Sequence, residues 1–171
     1  MAVTIRDARA GDAEAVAGAW LDAADFYAGL EPRVFQIPRA DGLSDVWRES
    51  LTSDAADALH LVAELDGQVI GYLVAQLAAP EPGADFQLTR DQSWTRLMIE
   101  VLVVRQEHWR LGAGAALLTA AEEWGRELGA RMVRLDTYAH SPVSVPFYEQ
   151  RMGYRRRAII FEKPLLPEET Q

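Results

Sequence analysis

From Met98 to Leu118 the chain passes through an apolar strand (Met98-Ile-Glu-Val-Leu-Val-Val104), a polar loop (Arg105-Gln-Glu-His-Trp-Arg110) and an amphipathic helix opened by Gly112-Ala-Gly114. A helix start leaves its first amide N–H groups without internal partners, and the macrodipole adds about half a positive charge there. A glycine-rich start beside a buried strand therefore suits a phosphate group.

Spacing narrows the ligand. A P-loop needs Gly-x-x-x-x-Gly-Lys-Ser/Thr, and a dinucleotide fingerprint needs a third small residue where Leu117 stands, with its glycines directly after the strand. Neither pattern is present. Eight positions separate Val104 from Gly112, which leaves a loop able to wrap a pyrophosphate while the strand backbone stays free for the rest of a longer ligand. Both features point to an acyl-CoA.

The 171 residues, 49% of them apolar, suit a single domain over residues 1–171 that buries roughly 70% of its unfolded surface. No apolar run approaches the ~18 residues of a membrane span, and the N-terminus lacks the basic start and apolar stretch of a signal peptide. A cytoplasmic protein without a membrane partner is expected. With no cysteine in the chain, disulfides, thiolate metal sites and a covalent cysteine intermediate are excluded. His60, His108 and His140 are too scattered for a helix-borne metal motif, and neither His-Glu-x-x-His nor Gly-x-Ser-x-Gly occurs. No metal is expected. The net charge of −9 repels nucleic acid and anionic lipid. It also favours cationic substrates, although ordinary solubility explains it equally well.

Val3-Thr-Ile-Arg6 reads as a first strand, and Gly11-Asp12 opens a helix that runs to about Gly29. Glu31 to Gly42 is a connector, and a second helix is expected from Leu43 to roughly Asp57. Leu59 to Leu65, Asp66-Gly67 and Gln68 to Ala75 form a hairpin by their turn dipeptide and flanking strands. Ala79 to Gln92, with Pro80, Pro82 and Gly83, is a long loop. The Gly-x-Gly helix ends at Gly129. Met132 to Asp136 is a strand, Val143 to Met152 a short helix, and Tyr154 to Lys163 a closing strand. An antiparallel meander is thus joined to one strand–helix–strand crossover, whose flanking strands run parallel.

Two segments, in order, resemble the GNAT superfamily of N-acetyltransferases across nearly the whole chain. Ile99-Glu100-Val-Leu-Val-Val, followed by Arg110-Leu-Gly112-Ala-Gly114, is similar to the family's Gln/Arg-x-x-Gly-x-Gly/Ala motif; Pro146-Phe-Tyr148-Glu-Gln-Arg-Met-Gly153-Tyr154 is similar to its Phe-Tyr-x-x-x-Gly-Phe/Tyr motif. The resemblance implies an α/β chain of the α+β type. Its mixed, mostly antiparallel central sheet would have six to seven strands, a splayed parallel pair and about four helices. The chain departs from the family twice: Trp109 stands where Arg or Gln is usual, and Ser141 where Asn is usual.

In the family the first motif's strand is bulged and splayed, so its free amides and carbonyls bind pantetheine like an added strand. By that resemblance Leu102 and Val104 are main-chain candidates, and an N–H near Leu102 or Val103 polarises the thioester. Trp109, Arg110, Leu111, Gly112, Ala113, Gly114 and Ala115 surround the diphosphate, and Ser141 lies near the pantetheine arm. Alternation places Glu100, Leu102 and Val104 on one face and Ile99, Val101 and Val103 on the other, a phase that a bulge shifts.

Tyr148 matches the position that hydrogen-bonds the cofactor sulfur; a core tyrosine is the alternative. A thiol pKa of about 8.5 against about 10 for tyrosine favours stabilisation of sulfur charge over early proton transfer. A lysine-like ammonium, pKa about 10.4, costs roughly 4.6 kcal/mol to deprotonate at pH 7, so a base is useful. Glu100 is the candidate, with an arginine-paired or solvated role as its alternative; His108 and Asp136 are weaker. Arg155-Arg156-Arg157 could reach an adenosine phosphate or another subunit, but reads more simply as a solvated edge. Acceptor selection is expected from Phe26 to Arg39 and from the Ala79–Gln92 loop, with Asp22, Asp25 and Glu31 available to attract a cation.

The expectation is direct acetyl transfer from acetyl-CoA, as cosubstrate, to a primary amine of a small molecule or peptide in a ternary complex. A non-catalytic acyl-CoA-binding module and a nucleotide-binding protein are the rival readings. Homodimer formation is left open.

Overall fold

In the computed structural model, which describes residues 2–52, 57–163 and 165, Asp66 and Gly67 turn the chain with φ of 50° and 82°. Two positive φ values in succession are what a tight two-residue hairpin turn demands. They join β2 (Ala58–Leu65) to β3 (Gln68–Ala78). β1 (Thr4–Asp7) pairs antiparallel with β2, and β4 (Arg96–Val104) antiparallel with β3. β5 (Met132–Arg134) then pairs parallel with β4, giving the order β1-β2-β3-β4-β5.

Among the described residues the sheet has five strands, not the expected six to seven. The missing one is Tyr154–Lys163, which forms no strand. Ile159, Ile160 and Phe161 have a strand's composition, but they are 79%, 80% and 90% exposed. Strand propensity reflects packing against neighbours, and these residues have almost none.

By contact density residues 1–136 and 137–171 are separate compact units. In the first, a 3-10 turn (Ala10–Asp12) leads into α1 (Ala13–Leu30), and α2 (Leu43–Leu51) follows Gly42 at φ 78°. Most of the expected extension of α2 toward Asp57 lies outside the described residues. Arg6 fixes the α1 entry by bonding both Asp12 (2.8 Å) and Glu64 (2.9 Å). α3 (Ala113–Glu127) ends before Gly129, whose φ is 84°.

The helices cover opposite faces of the sheet. Val16 and Ala19 of α1 share a core cluster with Val62, Tyr72, Val74 and Val103, flanked by Trp20 and Trp47. On the other face α3 approaches β4 through Gly125, where a Cβ would lie 2.9 Å from the Leu97 side chain. Leu97 thus faces α3 while Val103, six residues on, faces α1. Six is an even number, so plain alternation would put both on one face. The reversal comes from a bulge: Val74 pairs with Val101 and Ala75 with Ile99, leaving Glu100 without a partner in the register.

The long loop expected between β3 and β4 carries two 3-10 turns, Ala84–Phe86 and Arg90–Ser93. Its base is closed by Glu81 N–H to the Gln92 carbonyl (2.8 Å), Arg96 to Glu81 (2.9 Å) and Arg134 to the buried Asp91 (3.0 Å).

In the second unit α4 (Ser144–Pro146) passes directly into a π-helical turn, Phe147–Arg151, within the expected short helix. The Met152 amide donates to the Phe147 carbonyl at 3.1 Å, the wide spacing that defines such a turn and is frequent at functional sites.

Candidate active site

β4 and β5 pair only from Arg96/Met132 to Met98/Arg134. Beyond Met98 the edge of β4 on that side has no strand beside it among the described residues. On the other side the Arg105 amide donates to the Ile70 carbonyl at 2.8 Å. An antiparallel ladder directs alternate residues toward and away from its partner, so Val103 and Val101 point their polar groups at β3 and Leu102 and Val104 point theirs outward. The splayed edge therefore presents Leu102 and Val104. Val103 instead contributes a buried side chain.

The loop that follows is shaped by two positive φ values, 68° at Arg110 and 93° at Gly112. After them the first bond into α3 is donated by Ala116 to the Gly112 carbonyl (2.9 Å). Ala113, Gly114 and Ala115 thus begin the helix with amides that have no intrahelical acceptor. Gly112 is the position that requires glycine, because its φ is one that side chains with a Cβ rarely adopt. Arg110 and Leu111 are both exposed, Leu111 at 55%. These amides, the helix dipole and the outward strand edge lie at one end of β4, a cradle whose chemistry fits a diphosphate continued by an extended amide-bearing arm.

α1 holds the loop in place. Asp22 accepts from Arg105 Nε (2.7 Å) and from the Gln106 amide (3.3 Å). Gly18 makes room for this, since a Cβ there would come within 2.7 Å of an Arg105 guanidinium nitrogen. One turn along, Phe26 meets the Trp109 ring edge to face at 5.0 Å. Trp109 in turn donates from its indole nitrogen to the Val104 carbonyl at 2.8 Å. The residue that departs from the family motif thus caps the last carbonyl of β4 and ties it to α1.

Glu100 stands at the bulge and is exposed, so the flanking apolar residues do not enclose it. The His108 Nδ1 atom is buried 3.7 Å from Glu107, beyond hydrogen-bond reach. Asp136 is exposed past the end of β5. The Ala79–Gln92 loop leaves the sheet at the Ala78/Arg96 pair, at the other end of β4 from Gly112, on the order of 27 Å away by strand rise.

In the second unit Ser141 is buried, and its hydroxyl accepts from the Ser144 amide at 3.1 Å. It therefore serves the start of α4. The Tyr148 ring packs between Phe147 (5.1 Å) and Tyr154 (5.9 Å), and its carbonyl accepts from the Tyr154 amide at 2.9 Å. The arginine run lies on no strand; Arg156 pairs with Glu149, holding that carboxyl below its usual range.

A polar cluster under α2 escaped the sequence reading. The Tyr72 hydroxyl lies 2.6 Å from His60 Nδ1, with Trp47 edge-on to Tyr72 at 5.4 Å. Burial pushes the Tyr72 phenol well above its usual pKa and lowers that of His60. Folding thus disfavours the His60 imidazolium, and the unfolded chain binds more protons below about pH 6.5. Stability is complete above that value and falls as pH drops toward the depressed folded value. In urea titrations at about pH 7.5 and pH 5.5, His60→Gln is expected to lose less midpoint on acidification than the wild type.

A model of the Acetyltransferase (GNAT) family matches residues 22–154. The chain belongs to that family, which uses acetyl-CoA, and is an acyltransferase. No protein of curated function matches it. Solved structures share the fold. A mutant of the BH1408 protein from Bacillus halodurans aligns at TM-score 0.81 and 20% identity, covering 95% of this chain and 99% of its own. An aminoglycoside acetyltransferase, HMB0005, from an uncultured soil metagenomic sample aligns at 0.62 and 21%, covering 97% and 100%. AAC(6')-Iy, solved with the bisubstrate analogue CoA-S-monomethyl-acetylneamine, aligns at 0.61 and 19%, covering 96% and 99%. Among the described residues no helix is long and apolar enough to cross a membrane, and no three or more His, Asp or Glu are placed to hold a metal ion.

Proposed function

We propose that this protein moves the acetyl group of acetyl-CoA onto a primary amine of a small molecule or peptide, by direct attack within a ternary complex. One observation carries the reading: the outward edge of β4 and the glycine-started helix α3 meet at the same end of one strand. The amides of Ala113, Gly114 and Ala115 would hold the diphosphate, flanked by Arg110, Leu111 and Gly112. Leu102 and the amide of Val104 would bind the pantetheine arm, the Val104 carbonyl being held by Trp109, with Ser141 as a supporting residue.

In the transfer the amine nitrogen bonds to the thioester carbonyl carbon, the carbon–sulfur bond breaks, and the sulfur departs as thiolate. Tyr148 is assigned to hydrogen-bond that sulfur as its charge grows. The nitrogen's proton passes to Glu100, directly or through water. With no cysteine in the chain, an acyl-cysteine intermediate is excluded. In this proposal residues 1–171 act as a single domain.

Calorimetry with acetyl-CoA and thiol release across a panel of amines test the proposal. Expected are a saturable heat of binding and amine-dependent thiol release that rises with pH until the amine or its base has deprotonated. A flat profile between about pH 6 and 9, with chemistry limiting, overturns the base assignment. Binding without turnover of any amine turns the protein into a non-catalytic coenzyme-binding module.

A further inference from the structure

Resting on the acetyl-transfer reading and deepening it, we infer that the acceptor is a monoamine carried on an apolar or aromatic body, and not a polycation. Both its grounds lie on the C-terminal half of α1 and the connector after it. This wall is joined to the cofactor cradle by the Trp109–Phe26 contact.

Two carboxylates of the wall are engaged already. Asp22 bonds Arg105 and the Gln106 amide, and Glu31 bonds Arg33 Nε at 3.1 Å. A polycation needs several carboxylates set at the spacing of its own charges, and diverting Asp22 would leave the part-buried Arg105 without its partner. Asp25, Glu100 and Glu107 remain exposed, one each on α1, on β4 and in the loop between β4 and α3. That supply suits one amino group. The net charge of −9 therefore overstates the acid available to a substrate, because Asp22 beside the cradle is neutralised by Arg105.

The same wall is aromatic. From Trp109 ring contacts run to Phe26 at 5.0 Å, on to Tyr27 at 5.2 Å and from there to Phe35 at 5.0 Å. All four rings are only partly buried. Beside them Val34 and Ile37 are 49% and 56% exposed. An apolar row of this kind, starting where the last carbonyl of β4 is capped, is what an apolar ligand body covers. Rings with T-shaped neighbours also accept a further ring edge to face.

The test compares phenethylamine, spermidine and kanamycin as acceptors in the wild type, Phe35→Ala and Phe35→Leu, with acetyl-CoA binding followed separately by calorimetry. Phenethylamine is expected to exceed both polycations in kcat/KM by about tenfold or more. Phe35→Ala should raise its KM by about tenfold, with the KM for acetyl-CoA within about twofold, and Phe35→Leu should fall between. Preference for spermidine or kanamycin overturns the inference while leaving acetyl transfer intact, and so does an equal effect of Phe35→Ala on every acceptor. Turnover of none of the amines overturns it as well. Absence of coenzyme binding strikes instead at the cofactor reading beneath it.

Discussion

Gly112→Val is expected to weaken acetyl-CoA binding by about a hundredfold or more while the protein stays folded. Gly112 sits at φ 93° immediately before α3, a region that β-branched residues essentially never occupy, at a cost of about 1–3 kcal/mol. The loop would relieve that strain by rotating, which swings the amides of Ala113, Gly114 and Ala115 off the diphosphate. A hydrogen bond to a charged group contributes about 1.5–3 kcal/mol, so losing two of them accounts for the expected change. Calorimetry measures it, and a thermal melt checks the fold. Gly114→Ala is the milder companion, because Gly114 lies inside α3 with no positive φ. Equal affinities in wild type and Gly112→Val would remove the diphosphate from this turn.

Tyr148→Phe is expected to lower kcat by about a hundredfold to a thousandfold and to leave the KM for acetyl-CoA within about threefold. That pattern marks an interaction made in the transition state and not in the ground state. Losing a single donor aimed at developing charge typically costs about 2.7–4 kcal/mol. The ring stays packed by Phe147 and Tyr154 in either protein, so phenylalanine keeps the shape and removes only the hydroxyl. Stopped-flow thiol release with a saturating amine separates chemistry from product loss. A kcat within twofold of wild type would return Tyr148 to the role of a core tyrosine.

The features that the sequence made legible are those set by local chemistry. Asp66-Gly67 specifies its own turn through positive φ, and Gly112-Ala-Gly114 specifies a helix start. The crossover between β4 and β5 follows from chain length and handedness. What was hidden depends on partners far along the chain. Asp22 and Arg105 are 83 positions apart, and nothing in either neighbourhood announces the other. The indole of Trp109 looks like a loss from a binding motif until its bond to the Val104 carbonyl is seen. Tyr154–Lys163 misleads in the opposite direction. Its isoleucines and phenylalanine carry a strand's composition, yet a strand exists only where another backbone completes its ladder. The bond from the Ser144 amide to the Ser141 hydroxyl is likewise announced by nothing in either residue's own type.

The unpaired Glu100 has an implication for how this chain can change. Because one surplus residue rotates the second half of β4 relative to the first, Leu97 can seat α3 while Val103 seats α1. Deleting Glu100 would close the bulge and keep both on the faces they occupy now, because five positions, an odd number, reach opposite faces by plain alternation. Divergence along this strand therefore has one residue of slack: the bulge can be lost, whereas a second deletion would send Val103 toward the wrong helix and withdraw Leu102 and Val104 from the open edge.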